Sequence, residues 1–301
     1  MAVYKKTYQR YAGTLTPAWS RAFIIPRYAF EEMHRKRFLN MFFLASMLYP
    51  LVCAFLIYVN QNLNFLKLLP GAPTQGFLEV NSTFFMALLG VQSMMGFFMT
   101  AFVGPGLISP DLANNALPLY LSRPLNRKQY VLGKMLVLVT LLSVMTWIPG
   151  LLLWLLHGVL AGNGWMGQNL RVASGLFFGA WIWILVLSLL SLALSAWVKW
   201  KPAAGGLLFG VFFVAAGFGA AINGVLRTKW GNLINISHLV GSVWVSLFEE
   251  PMNRGAGAVF FRVAAGEEIP VWCCWATLIG ICLVCLWLLA KKIRGAEVVR
   301  S

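Results

Sequence analysis

Carboxylates are scarce in this sequence. It holds nine acidic residues against 24 Lys and Arg, and a single aspartate, Asp111. No second carboxylate stands near Asp111, which excludes paired acid–base work and carboxylate metal binding there. His34, His157 and His238 lie too far apart to share a helix turn. The phosphate-cradling GxxxxGK[ST] loop is missing: Gly133-Lys134 is followed by Met135 and has no glycine-rich run before it. Cys282 and Cys285 have CxxC spacing on one helix face. No histidine or carboxylate accompanies them inside the run to complete a metal site. With Cys53, Cys273 and Cys274 they read as buried or lipid-facing small hydrophobes. No catalytic, metal or cofactor site is expected on this chain, and it is not read as an enzyme.

Charge of either sign is also sparse, at 11% of residues where soluble domains carry about a quarter. Hydrophobic residues make up 59%. Six uninterrupted apolar runs stand out: Leu39 to Val59, Phe84 to Leu107, Val131 to Leu156, Val172 to Val198, Ala204 to Leu226, and Val271 to Ala290. Each is long enough to cross a hydrocarbon core of about 30 Å. Continuous runs predict a helix bundle, because barrel strands would alternate in short segments. The expected fold is an all-α polytopic membrane protein of six transmembrane helices. It divides into a cytoplasmic arm (1–38), the six-helix domain (39–290) and a cytoplasmic tail (291–301).

The net charge of +15 would suggest nucleic acid in a soluble protein. Its distribution says otherwise. With a cytoplasmic N-terminus, 18 of the 24 Lys and Arg fall on the inner side and six on the outer. That is the positive-inside pattern, so both termini are expected in the cytoplasm, the partner is the lipid bilayer, and nucleic acid is not. About 38 residues rich in polar and basic side chains precede the first run, so no cleavable signal peptide is expected.

Within the arm, Thr16-Pro17 suits a helix start and Pro26 its end. The stretch between them mixes Trp, Phe and Ile with Arg21, as in an interfacial helix. A second helix from Arg27 is expected to lead straight into the first span. Pro149 predicts a kink in the third span. The fifth span is rich in small residues. Gly206 and Gly210 form a GxxxG pair and Ala216 and Ala220 continue the spacing, which makes them candidates for close helix packing or for a dimer face. Between the fifth and sixth spans, apolar residues from Leu233 to Leu247 recur at helical spacing, predicting an outer amphipathic or partly re-entrant helix. Glu249, Glu250, Glu267 and Glu268 read as part of a solvated loop, with an acid-lined vestibule as the sharper alternative. Asn81 and Asn235 stand in glycosylation patterns that matter only in a secretory-pathway host.

Apart from Lys134, the six runs contain no Asp, Glu, Lys, Arg or His. Proton-coupled carriers need such groups at membrane depth, so proton coupling is disfavoured. A sodium-coupled carrier using backbone carbonyls stays open.

The segment from Ser109 to Lys134 is the odd one. Ser109-Pro110-Asp111 predicts a helix start, with Leu112, Ala116, Leu117 and Tyr120 on one face. Pro124 should end that helix at Arg123, and Asn126 with Gln129 should cap the next. A membrane-surface helix and a docking element for a soluble partner fit these residues equally well.

Here the chain resembles the ABC-2-type permeases, the membrane subunits of ATP-binding-cassette exporters. The matching positions are Leu117, Leu119, Leu121, Arg123, Pro124, Leu125, Arg127, Tyr130, Gly133 and Lys134, about twenty residues in motif. The six-span layout, the basic N-terminal helix and the outer helical segment are similar along the whole chain. Where the family often has acids before this motif, Asn114 and Asn115 stand with Asp111 as the one charge. The resemblance implies a permease that pairs with a second protomer and with a cytoplasmic ATPase subunit, which would carry the ATP and Mg. It implies a bacterial cytoplasmic (inner) membrane, and a coupling helix contacting the ATPase through Asp111, Leu112, Leu117, Tyr120, Arg123, Pro124 and Arg127. A membrane scaffold without transport, and a carrier working alone, are the alternatives.

Overall fold

The structure, a computed structural model, describes residues 18–62, 79–114, 116, 127–162, 164–249, 258–261 and 269–294. Among them every regular element is helical. In chain order these are α1 (Ala18–Arg35), α2 (Arg37–Gln61), α3 (Ser82–Val103), α4 (Pro105–Ala113), α5 (Arg127–Met145), α6 (Trp147–Ala161) and α7 (Trp165–Gln168). There follow α8 (Leu170–Trp197), α9 (Lys201–Phe209), a π-helical turn (Gly210–Val214), α10 (Ala215–Leu226) and a 3-10 turn (Trp230–Ile234). The last are α11 (Ile236–Phe248), α12 (Ala258–Phe261) and α13 (Val271–Arg294).

Six rods are long and apolar enough to cross a membrane: α2, α3 with α4, α5 with α6, α8, α9 with α10, and α13. The shortest, α13 within Val271–Ile293, has 23 residues, about 34 Å at 1.5 Å per residue. Three of the rods are jointed, each for a local reason. Gly104 precedes Pro105, and proline at the first position of a helix starts a new segment without losing a needed donor. Pro149 lacks the N–H that would bond Met145, and the rod breaks at Thr146, whose backbone N–H and Oγ1 both donate to the Leu142 carbonyl, at 2.9 Å and 2.7 Å. The fifth rod widens into a π-turn that begins at Gly210, which shifts the register of the residues beyond it.

α8 is the centre of the bundle. In the α3–α4 and α8 rods 72% of the apolar window is buried, against 22% to 28% in the first, fifth and sixth. Trp183 of α8 is fully buried and meets Phe212 and Phe261 edge-on, at 5.6 Å and 4.9 Å between ring centres. Its indole donates to the Ser93 carbonyl at 3.1 Å. α11 is buried over nearly its whole length rather than lying along a surface. Its Trp244 donates to the Gly179 carbonyl at 2.9 Å, where a Cβ on Gly179 would stand 3.1 Å from the indole. Glycine there is what lets α11 dip against α8.

Three sequence expectations are revised. α1 runs through Pro26, midway along its 18 residues, without ending; the proline removes one i→i−4 bond, and the helix continues on both sides of it. The chain breaks instead at Lys36, in extended conformation, so α1 does not continue straight into α2. Ser109 and Pro110 do not start a helix: they lie inside α4, which begins at Pro105. Thr16 and Pro17 lie outside the described residues.

Candidate functional site

Five elements meet at the end of the bundle where α1 lies. α4 arrives as the continuation of the second rod, α5 begins the third, α8 ends and α9 begins, and α13 ends there. The Ser109–Lys134 stretch is therefore anchored at both sides.

On one side α4 is clamped to α8. Ser195 Oγ accepts from the backbone N–H of Ile108 at 3.2 Å and of Ser109 at 3.0 Å, and donates to the Pro105 carbonyl at 3.0 Å. Ser109 Oγ donates to the Val198 carbonyl at 2.6 Å. The polar groups freed by the Gly104–Pro105 joint are thus satisfied by a neighbouring helix, as buried backbone requires. Gly104 permits the approach, because a Cβ there would overlap Ser191 Oγ. Lys201, at the start of α9, lies along Gly106, its Nζ 3.1 Å from where a Cβ would stand.

On the other side α4 is tied to α5. Lys134 Nζ pairs with Asp111 Oδ2 at 2.8 Å, and the Tyr130 hydroxyl donates to the same oxygen at 2.7 Å. The side chains of Lys134 and Asp111 are 10% and 16% exposed, and Tyr130 is fully buried. One helix turn separates Tyr130 from Lys134, so both reach one carboxylate from a single face. Ile25 of α1 and Ile293 of α13 pack on Tyr130, with Leu112 and Val131 half-buried against them. The joint is sealed by α1 and by the end of the last rod.

α1 also brings a carboxylate close. The Lys36 ammonium, 2.7 Å from Glu32, holds the Glu32 carboxyl below its usual range by hydrogen bonding. Partial burial works against this, while the charges of Lys36, Lys201 and Lys134 reinforce it.

Of the residues picked for partner coupling, Asp111 and Leu112 turn inward to this joint, and Arg127 stands half-buried at the first position of α5. Leu117, Tyr120, Arg123 and Pro124 lie outside the described residues. Sequence reasoning noted Lys134 and Asp111 separately and missed that they pair, although the one aspartate and the one in-span lysine were a usable signal. Ser195 carried no such signal among the many serines of α8.

The small-residue candidates divide. Nothing lies within 4 Å of a Cβ placed on Gly206 or Gly210, so these face away from the bundle. Ala216 and Ala220 instead line an open groove at the far end. Gly219 was not singled out, yet it makes the tightest contact of the fifth rod, its Cβ position 2.5 Å from the Gly231 carbonyl. At that far end Arg171 pairs with Glu249 at 2.6 Å. The amides of Asn81 and Asn235 cap helices there, accepting from Phe84 and His238 N–H. Glu250, Glu267 and Glu268 lie outside the described residues.

Among the described residues no group of three His, Cys, Asp or Glu is arranged to hold a metal ion. The chain matches no protein-family model, and no curated protein matches it by sequence.

Proposed function

We propose that the chain is the membrane-spanning permease subunit of an ATP-binding-cassette exporter, moving its substrate with ATP hydrolysed by a separate soluble subunit. The observation that carries the reading is the joint at Asp111. The stretch that resembles the ABC-2 motif leaves α4 and re-enters α5, and those helices share one buried carboxylate. A push on residues 114–126 would therefore move the second and third rods together, while the Ser195 clamp passes it to the central α8. Two negative features of the sequence agree with an external energy source: no coupling carboxylate at mid-depth and no P-loop.

In this reading the α1 end faces the cytoplasm, following the split of basic residues, and the membrane is a bacterial inner one. The little-buried first, fifth and sixth rods leave apolar faces for a second protomer. The open faces of Gly206 and Gly210 would let a second backbone approach closely.

The test is affinity purification in mild detergent from the native cell, with mass identification of co-purifying chains and an ATPase assay. The expected result is a stoichiometric soluble subunit carrying a P-loop, lost when Leu117 and Tyr120 are replaced by Asp. Purification alone, or with membrane subunits lacking ATPase activity, would overturn the proposal in favour of a scaffold or a lone carrier.

A further inference from the structure

The far end of the fifth rod carries a groove of about 820 Å³ for which the coupling reading has no use. One wall is the small-residue face of α10, with Ala216, Ala220 and Gly224. The floor is a bonded amide network. Asn223 donates to Asn232 Oδ1 at 2.7 Å and accepts from the Gly231 N–H at 2.8 Å. The Asn232 amide lies 3.3 Å from Nε2 of the buried His238. The close approach of Gly219 and Gly231 pins the turn to α10, so the groove is built by backbone packing and does not depend on long side chains.

Its rim holds Arg227 and Lys229, both exposed. Neither has an ion-pair partner among the described residues, and no acidic side chain lines the groove. Arg227 ends α10 with φ of 48°, a left-handed conformation that turns the chain sharply into the 3-10 segment and closes the groove's end. Trp230 is half exposed beside it. A tryptophan with two cations at the end of an apolar rod is the side-chain set found at bilayer headgroup level.

We infer that this groove binds the phosphate headgroup of an anionic amphiphile, with the tail lying along the Ala216–Ala220–Gly224 face. Three features select that class. Arg and Lys without a carboxylate favour an anion, and the Arg fork suits phosphate oxygens. The amide floor supplies donors and acceptors for a polyol or ester portion. The small-residue wall leads from the polar floor onto the apolar rod, so a ligand with both a charged head and a hydrocarbon chain uses the whole groove. A zwitterionic headgroup would set its ammonium against Arg227 and Lys229. The inference stands on the groove alone and does not depend on ATP-driven transport.

The experiment uses the full chain in zwitterionic detergent, titrated with short-chain phosphatidylglycerol, short-chain phosphatidylcholine and inorganic phosphate, with bound adducts counted by native mass spectrometry. Each cation near a headgroup tightens anionic lipid binding about fivefold, so two give an expected preference of roughly 25-fold for phosphatidylglycerol. It should vanish in R227N/K229Q, whose positions are exposed and whose new Asn tolerates the left-handed backbone. Binding of both lipids should fall in A220L, which fills the apolar wall and leaves both charges in place. Equal binding of the two lipids, or a preference kept in R227N/K229Q, would overturn the site. Displacement of phosphatidylglycerol by millimolar phosphate, with A220L binding as well as the parent, would overturn the amphiphile and leave a site for the free anion. Circular dichroism of each variant separates loss of fold from loss of binding.

Discussion

Replacing Lys134 by Met is the sharpest perturbation of the Asp111 joint. It keeps the length and apolar stem of the side chain and removes only the ammonium 2.8 Å from Asp111 Oδ2. The carboxylate, 16% exposed, is left with the Tyr130 hydroxyl at 2.7 Å as its one remaining partner of the two. Breaking a buried pair from one side costs about 3–5 kcal/mol, because the surviving charge has lost both water and its counterion. The residual exposure of both side chains places the expectation near the lower end, about 3 kcal/mol. Asp111→Asn should cost less, since the amide still accepts from Tyr130 and the flexible lysine stem can reach toward water. Replacing both residues together removes both charges and should return to within about 1 kcal/mol of the parent. The assay is unfolding from dodecyl maltoside into dodecyl sulfate micelles, followed by helical circular dichroism for the parent, each single variant and the double. The refuting result is a Lys134→Met cost below about 1 kcal/mol, the range of an exposed pair. A double variant no more stable than the worse single would refute it equally. If the proposed coupling also holds, the double variant regains stability without regaining transport per ATP hydrolysed, because a repacked joint holds the helices together but no longer fixes their register.

Gly104→Ala drives a methyl into Ser191 Oγ and should destabilise by about 1–3 kcal/mol, with partial recovery in Gly104→Ala/Ser191→Gly, read by the same unfolding titration. A Cβ at Gly206 or Gly210 meets nothing within 4 Å, and leucine is the better helix former, so leucine at both should not lower helicity or melting. If a second copy packs there, light scattering in detergent should show the dimer lost, and an unchanged mass would remove that face from the interface. Glu32 titrates below the ordinary carboxylate range in the folded chain, mainly through its hydrogen bond to Lys36, so this small tie at the α1–α2 break is present above that range and fades as the pH falls through the lowered value. Spin labels at the exposed Tyr28 on α1 and Met41 on α2 should change separation on acidification and show no such pH dependence in Glu32→Gln.

The six rods were legible because unbroken apolar length is a one-dimensional signal. Joints were legible where proline acts alone, as at Pro149. They were misread where proline lies inside a helix without ending it: Pro26 sits midway along α1, and Pro110 within a helix already begun at Pro105. Ser109-Pro110-Asp111 looks like a cap because cap and interior share residue types. Deciding between them needed the Ser195 clamp, 86 residues away in sequence. Small residues in the fifth rod were visible as a class, but not which of them meet a neighbour. Gly219 and Gly231 are twelve positions apart and touch only because the chain reverses at Arg227. The burial of α11 was similarly hidden, since helical periodicity marks one apolar face and cannot show that polar Ser237, His238 and Ser242 are buried too.

The charge economy of the chain bears on what the Asp111 joint does. For holding two helices together, a buried ion pair is a poor choice, since apolar residues of the same volume often do as well or better. Apolar contacts, however, allow neighbouring helices to slide by a fraction of a turn with little change in energy. A carboxylate reached at once by Lys134 and Tyr130, at 2.8 Å and 2.7 Å, loses one of its bonds when α5 shifts by about an ångström against α4. The pair therefore discriminates between registers more than it stabilises any one of them. Register matters here because α4 is itself pinned to α8 through Ser195 and Ser109, so α4, α5 and the central helix form a chain of directional bonds rather than of packing alone. In a sequence with one aspartate, its placement at the meeting point of those helices would suit a movable but indexed joint, the role that the proposed coupling gives it.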